Sequence, residues 1–438
     1  MKKIYILFMI CALVLSGCGN LQNDSSADSE QVKNSLSHEG YSLEQVVVLS
    51  RHNIRSPLSS KGSALDTMTP HEWVEWSSKP SDLSVRGGTL ETEMGQYFRK
   101  WLEQEGLFPE DYMPTEEEVR IYANAKQRTI ATAQFFKAGL LPVSNNQVEY
   151  HVEYNNMDPV FNPQLTFVSD EYRDDVEAQV TSLFGEKIND LSDNYELLSN
   201  VIDIEESDDW KAGNFTGFVT DDVELSIEED AEPAMTGSLK TACSISDALV
   251  LQYYETDAKD AAFGEKLSTK QWEDIAEIKD VYEEVLFATP LLATNIAHPL
   301  LLEIENELSE DGRRFTFLCG HDSNIVSVLS AISVEEYDLQ DAIEKTTPIG
   351  CKIVFCKWVD SVGKEYVSVD MVYQTVDQLK NMPILDMDNP PAIVELNFNG
   401  LNCNQDGLYE ASEFENHLRQ AIEEYEILLE QYEIENAA

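Results

Sequence analysis

Twice in this chain an apolar, strand-like run ends in a polar cluster that carries a histidine. That repeated layout restricts the fold more than any other feature. The first case is Val46-Val47-Val48-Leu49, followed by Ser50-Arg51-His52-Asn53-Ile54-Arg55-Ser56-Pro57. The second is Phe315-Thr316-Phe317-Leu318-Cys319-Gly320, followed by His321-Asp322-Ser323-Asn324-Ile325, where the polar residues open a helical pattern. Functional groups in an open α/β sheet gather outside the carboxyl ends of the strands, so clusters far apart in sequence converge there. The expected fold is therefore α/β, a sheet core flanked by helices. The first cluster alone is also what a turn with two solvated arginines looks like. With only seven histidines in the chain, a second one in the same setting weighs against that reading.

The residue types suit phosphoryl chemistry. A strand end holds an imidazole rigidly, and Arg51 and Arg55 offer planar, permanently charged forks that match phosphate oxygens. A third candidate is Arg128, where the strand-like stretch from Arg120 leads into a helical run over Thr129 to Lys137. A cation at a helix start opposes the macrodipole, and a nearby anion would account for it. An exposed arginine would account for it equally.

Arg51-His52-x-x-Arg55-x-Pro57 together with His321-Asp322 resembles the signature of the histidine acid phosphatases, and within them the glucose-1-phosphatase branch. The likeness extends through Leu83 to Gly88, Ala123 to Phe136, Met157 to Pro163, Leu251 to Glu255, Thr347 to Trp358 and Val372 to Leu379, nearly all of the chain after residue 43. Asn53 stands where phytase-like members have glycine, which a left-handed backbone would tolerate. The resemblance implies a histidine-phosphatase sheet core over 43–154 and 297–438, with an inserted, mainly helical cap over 155–296. It implies His52 as the nucleophile that forms a phosphohistidine, and Arg51, Arg55, Arg128 and His321 as the phosphate site. Asp322 is then the acid that protonates the departing oxygen and the base that activates water, with no metal or other cofactor required. An ordinary Asp pKa, raised by a bound phosphate, gives an optimum of roughly pH 4 to 6. Glu232, ahead of Pro233, Thr236 and Gly237, matches the stretch where that branch carries a glutamate facing the sugar. Glu232 also sits in an acidic run that solvation alone would explain. The implied substrate is a small phosphorylated sugar, with inositol phosphate (phytase activity) as the alternative. Capture of phosphosugars by a non-catalytic lipoprotein is a third reading, against which the pair His52 and Asp322 argues.

The N-terminal segment gives the expectation of an exported protein. Lys2 and Lys3 precede an apolar stretch from Ile4 to Leu15, shaped like a secretory signal and short for a membrane span. Leu15-Ser16-Gly17-Cys18 resembles a bacterial lipobox, so Cys18 is expected to be lipidated and to anchor an exported protein to the membrane, with 1–18 as signal and 19–40 as a flexible tether. With 81 acidic and 30 basic residues the formal charge is −51, which argues against nucleic acid as a partner. The resemblance also implies disulfides, but the partner position of Cys403 is occupied near Leu408. None of the family's bridges is therefore expected among Cys243, Cys319, Cys351, Cys356 and Cys403. Asn402-x-Asn404-x-Asp406-Gly407 followed by Glu413 fits a relaxed calcium-loop spacing, yet it lacks the leading Asp and the preceding helix. It reads instead as an Asp406-Gly407 turn, with Ser412 capping the last helix. Helices are expected over Gly88 to Glu105, with Leu90, Met94, Tyr97, Phe98, Trp101 and Leu102 on one face, and over Ser412 to Tyr432. Strands are expected over Lys352 to Trp358, Glu365 to Tyr373 and Ile393 to Phe398.

Overall fold

The computed structural model describes residues 32–33, 35–58 and 63–433. The signal segment 1–18, with Cys18, and the tether up to residue 31 lie outside the described residues. Strands β1 (Val32–Lys33), β2 (Tyr41–Arg51), β3 (Val119–Ala123) and β4 (Val148–Glu149) precede a small hairpin of β5 (Glu224–Ser226) and β6 (Ala234–Thr236). After it come β7 (Phe315–Gly320), β8 (Lys352–Asp360), β9 (Glu365–Tyr373), β10 (Ala392–Glu395) and β11 (Tyr409–Glu410). The main sheet runs β1-β10-β9-β8-β2-β7-β3-β4, with β11 added beside β9.

The sheet is mixed. β2, β7, β3 and β4 are parallel, whereas β8, β9, β10 and β1 continue it antiparallel. Side chains alternate between its faces, so the apolar run of β2 divides: Val46 and Val48 join one core, Val47 and Leu49 the other. That is why the run needs no polar alternation. On the first face lie the helices Val85–Gln104 and Gln127–Leu140, the former started by Ser84, whose side chain accepts from Gly87 N–H. Its six expected core residues are all buried. The two helices meet at glycines: a Cβ on Gly95 would stand 2.2 Å from the Phe136 carbonyl, and one on Gly139 2.1 Å from that of Thr92.

The segment between β4 and β7 carries the helices Asp170–Asp190, Ser192–Val201, Ser238–Glu255, Thr269–Glu283 and Pro290–Ser309, with one π turn over Glu284–Ala288. Its apolar core is continuous with Ile54, Leu90 and Val326 around the sheet, and the described residues form one compact unit. A boundary at 297 falls inside the helix Pro290–Ser309.

Two local expectations need correction. The tether does not reach residue 40: Val32 and Lys33 pair with β10, Lys33 is ion-paired with Asp370 at 3.0 Å and Glu395 at 2.9 Å, and Leu36 is buried. The last helix begins at Ala411, so Ser412 lies inside its first turn rather than capping it. The Asp406-Gly407 turn does form, with Gly407 at φ 74° and the Asn404 side chain accepting from Asp406 and Leu408 N–H.

Candidate active site

Strand register assembles the site. In the parallel pair β2 and β7, Arg51 lies opposite Gly320, so the next residues, His52 and His321, emerge side by side with ring centroids 5.5 Å apart. Ala123 of β3 pairs with Cys319, which brings Asn124 to the same edge. A cavity of about 670 Å³ opens there. Its walls include His52, Arg55, Arg128, His321 and Asp322, with Glu232 and Lys240 from the inserted segment. Six of the seven residues expected to act on substrate thus share one cavity.

The seventh, Arg51, stands behind it. Its side chain is 1% exposed, and its two Nη groups are engaged by Glu344 at 2.7 Å, Asp322 at 3.3 Å and the Thr347 carbonyl. Rather than facing the cavity wall, it holds the Asp322 carboxylate. Asn53 is not left-handed either. Its side chain donates to Glu91 at 2.9 Å and accepts from Ile54 N–H at 2.8 Å. The close partner that must be glycine is Gly350, at φ +70°, where a Cβ would stand 2.5 Å from Asn53 Nδ2. Glu91 in turn pairs with the fully buried Lys352 at 2.8 Å, fixing the loop from beneath.

His52 Nδ1 lies 2.9 Å from the Asn53 carbonyl. A carbonyl only accepts, so Nδ1 carries the hydrogen and Nε2 keeps its lone pair. Burial, then the charges of Arg128 and Arg55, hold the ring well below the usual histidine value, so it is neutral. Arg55 is tied to Asp247 at 3.1 Å. Arg128 enters one residue into the helix Gln127–Leu140, and burial with the Arg55 charge pushes its guanidinium down to about 10. Among the described residues the buried Nε–H groups of Arg51, Arg55 and Arg128 have no acceptor. Unpaired donors of this kind are costly unless an anion accepts them.

Asp322 opens the helix Asp322–Ala331, and its Oδ2 faces Arg51 at 3.3 Å and Lys279 Nζ at 3.4 Å. Burial opposes its ionisation, but Lys279 and Arg51 overcome this and hold the carboxyl well below the usual range. Lys279 also pairs with Glu283, and at 3.9 Å with Glu344. Two cations among three carboxylates leave one negative charge over. Burial and the Asp322 charge push Glu283 up, against the pull of Lys279 and Arg51. Sequence reasoning missed Lys279, Glu283, Glu344 and Asn124. For the first two a signal existed: Trp272, Ala276, Lys279 and Glu283 share one buried stripe of the helix Thr269–Glu283, where a lysine requires a partner.

The chain as a whole is similar to known proteins. Branch 2 of the histidine phosphatase superfamily matches residues 42–374. The glucose-1-phosphatase of Providencia rettgeri is 37% identical over 389 residues, covering 87% of this chain and 92% of that protein. The glucose-1-phosphatase of Salmonella typhimurium is 35% identical over 393 residues, covering 89% and 94%. Among solved structures, the apo form of Hafnia alvei phytase superimposes with a TM-score of 0.80 at 29% identity, over 88% of this chain and 98% of that one.

Proposed function

Because the chain belongs to branch 2 of the histidine phosphatase superfamily and is a phosphatase, we propose that it hydrolyses sugar phosphate monoesters such as glucose 1-phosphate through a phosphohistidine on His52. One observation carries this reading: a neutral imidazole with a free Nε2 lone pair shares a cavity with Arg55 and Arg128, whose buried Nε–H groups lack acceptors among the described residues. Phosphoryl transfer asks mainly for positioning and charge stabilisation, and that set supplies both.

Nε2 attacks phosphorus as the bond to the sugar oxygen breaks, and Asp322 gives that oxygen a proton. Water then attacks the phosphohistidine, Asp322 takes its proton, and the N–P bond breaks to release phosphate. Because Asp322 is ionised in the free protein, its proton arrives with the substrate. A phosphate monoester carries one below about pH 6, and the phosphoryl charge beside Asp322 draws it across. An acid optimum follows from the substrate's protonation rather than from Asp322 alone.

Glu232, on the exposed rim, accepts sugar hydroxyls and repels substrates bearing many phosphates. A second reading, phytase activity, draws on Lys126 and Lys240, two further cations on the same walls. The same proposal includes export and lipid attachment at Cys18, supported by Lys2-Lys3, the apolar stretch and Leu15-Ser16-Gly17-Cys18. The deciding assay is phosphate release from glucose 1-phosphate and from phytate across pH 3 to 8 with EDTA present. Acid activity that is faster on glucose 1-phosphate supports the proposal, faster release from phytate replaces the substrate, and absence of turnover on either rejects it.

A further inference from the structure

His321 is held by a residue that no part of the reaction uses directly. Asn124 is fully buried at the end of β3, with its backbone N–H bonded to the Cys319 carbonyl. Its side-chain amide has one allowed orientation. Oδ1 accepts the backbone N–H of Asp158 at 2.9 Å, which leaves Nδ2 facing Met157 Sδ at 3.2 Å and His321 Nε2 at 2.7 Å. Turning the amide over would set an NH2 against the Asp158 N–H. An amide NH2 only donates, so His321 Nε2 must offer a lone pair and the ring hydrogen must sit on Nδ1.

Nδ1 stands 3.3 Å from Arg128 Nη2, which is also only a donor. The imidazole N–H and the guanidinium N–H therefore cannot bond to each other, and a shared acceptor on the cavity side satisfies both. A phosphoryl oxygen is such an acceptor. We propose that Asn124 is a positioning residue that locks His321 as a neutral Nδ1–H donor to the phosphoryl group and takes His321 out of the enzyme's response to pH. This rests on the phosphate-site role of His321 given above.

The other charges around the ring act in the same sense. Arg128 on the helix Gln127–Leu140, Arg55 after β2 and Lys126 in the turn before that helix disfavour a second proton, and Asp322 alone favours it. His52, the remaining titratable neighbour, is neutral. A protonated Nε2 would in addition meet the Asn124 NH2 head-on, so even a bound phosphate dianion does not convert the ring to imidazolium.

The test uses the full chain with 15N-labelled histidine, and assigns the His321 ring signals by their loss in His321→Gln. The expected wild-type spectrum has a protonated Nδ1 and an unprotonated Nε2, unchanged from pH 4.5 to 7.5. In Asn124→Asp the carboxylate accepts from Nε2–H. His321 should then titrate within that range, and kcat/KM for glucose 1-phosphate should lose about 10²-fold more than wild type between pH 5 and 7.5, the worth of one phosphoryl donor. Asn124→Ala, which imposes no tautomer, should lower kcat at every pH without a new titration. A wild-type His321 protonated on Nε2, or titrating in this range, overturns the proposal, as does an Asn124→Asp profile that superimposes on wild type. The wild-type spectrum decides the tautomer even where a variant fails to fold. It is also independent of the phosphohistidine reading, which fails separately if His52→Ala retains turnover.

Discussion

Replacing Lys279 by methionine isolates the electrostatics that set Asp322. Lys279 Nζ lies 3.4 Å from Asp322 Oδ2, and an effective dielectric of about 20 makes that attraction about 5 kcal/mol, or between three and four pKa units. Asp322 retains 21% side-chain exposure and keeps Arg51 at 3.3 Å, so solvent and the remaining cation cut the expected rise to about one to two units. The acid limb of kcat on p-nitrophenyl phosphate, which follows loss of the Asp322 carboxylate that activates water on the phosphohistidine, should move to higher pH by that amount. Stability should fall as well, because removing one partner from a buried ion pair costs about 3–5 kcal/mol. The sign of the pH dependence follows from the depressed folded value. Asp322's share is complete above about pH 4, the unfolded-chain value, and fades as pH falls towards the folded value well below it. Denaturant melts of variant and wild type should therefore differ most at neutral pH and approach each other in strong acid. A Lys279→Met enzyme that stays active with an unmoved acid limb would refute the assignment of that limb to Asp322 held by Lys279.

Further outcomes are expected. Asp322→Asn should lower kcat/KM, which reports the phosphorylation step, by about 10²–10⁴-fold on glucose 1-phosphate and much less on p-nitrophenyl phosphate, whose leaving group needs no proton; equal losses in kcat/KM on both would deny Asp322 the acid's role. Glu232→Gln removes a rim charge worth at most about 1 kcal/mol, so its kcat/KM for phytate relative to glucose 1-phosphate should rise about two- to fivefold in steady-state competition. Gly95→Ala, with its Cβ 2.2 Å from the Phe136 carbonyl, should cost about 1–3 kcal/mol in thermal melts. Gly185→Ala, in a helix with nothing within 4 Å of the new Cβ, should instead stabilise by about 0.5–1 kcal/mol.

What could be read from the sequence follows from how local each cause is. The strand at Glu365–Tyr373 and the buried face of Val85–Gln104 are set by period, and they appear where the pattern places them. His52 and His321 could be placed side by side because both follow apolar strands, although the pairing of Arg51 with Gly320 needed the sheet. The antiparallel half of the sheet left no sign that separates it from a parallel one. Arg51 looked identical to Arg55 on paper; its partners Glu344, 293 residues later, and the Thr347 carbonyl hold it behind the cavity. The same distance hid why Asn53 is accepted, since Glu91 and Gly350 make its niche. Val32–Lys33 is too short and polar to signal a strand, and its anchors, Asp370 and Glu395, lie at the far end of the chain.

The central claim is that His52 carries the phosphoryl group. Enzyme mixed with 32P-labelled glucose 1-phosphate and quenched in alkali within milliseconds should hold label that is stable to base and labile to acid, as a phosphoramidate is. Peptide mapping should place it on Nε2 of His52, with none in His52→Ala. Full turnover without a labelled protein, or label on any other residue, would contradict the account.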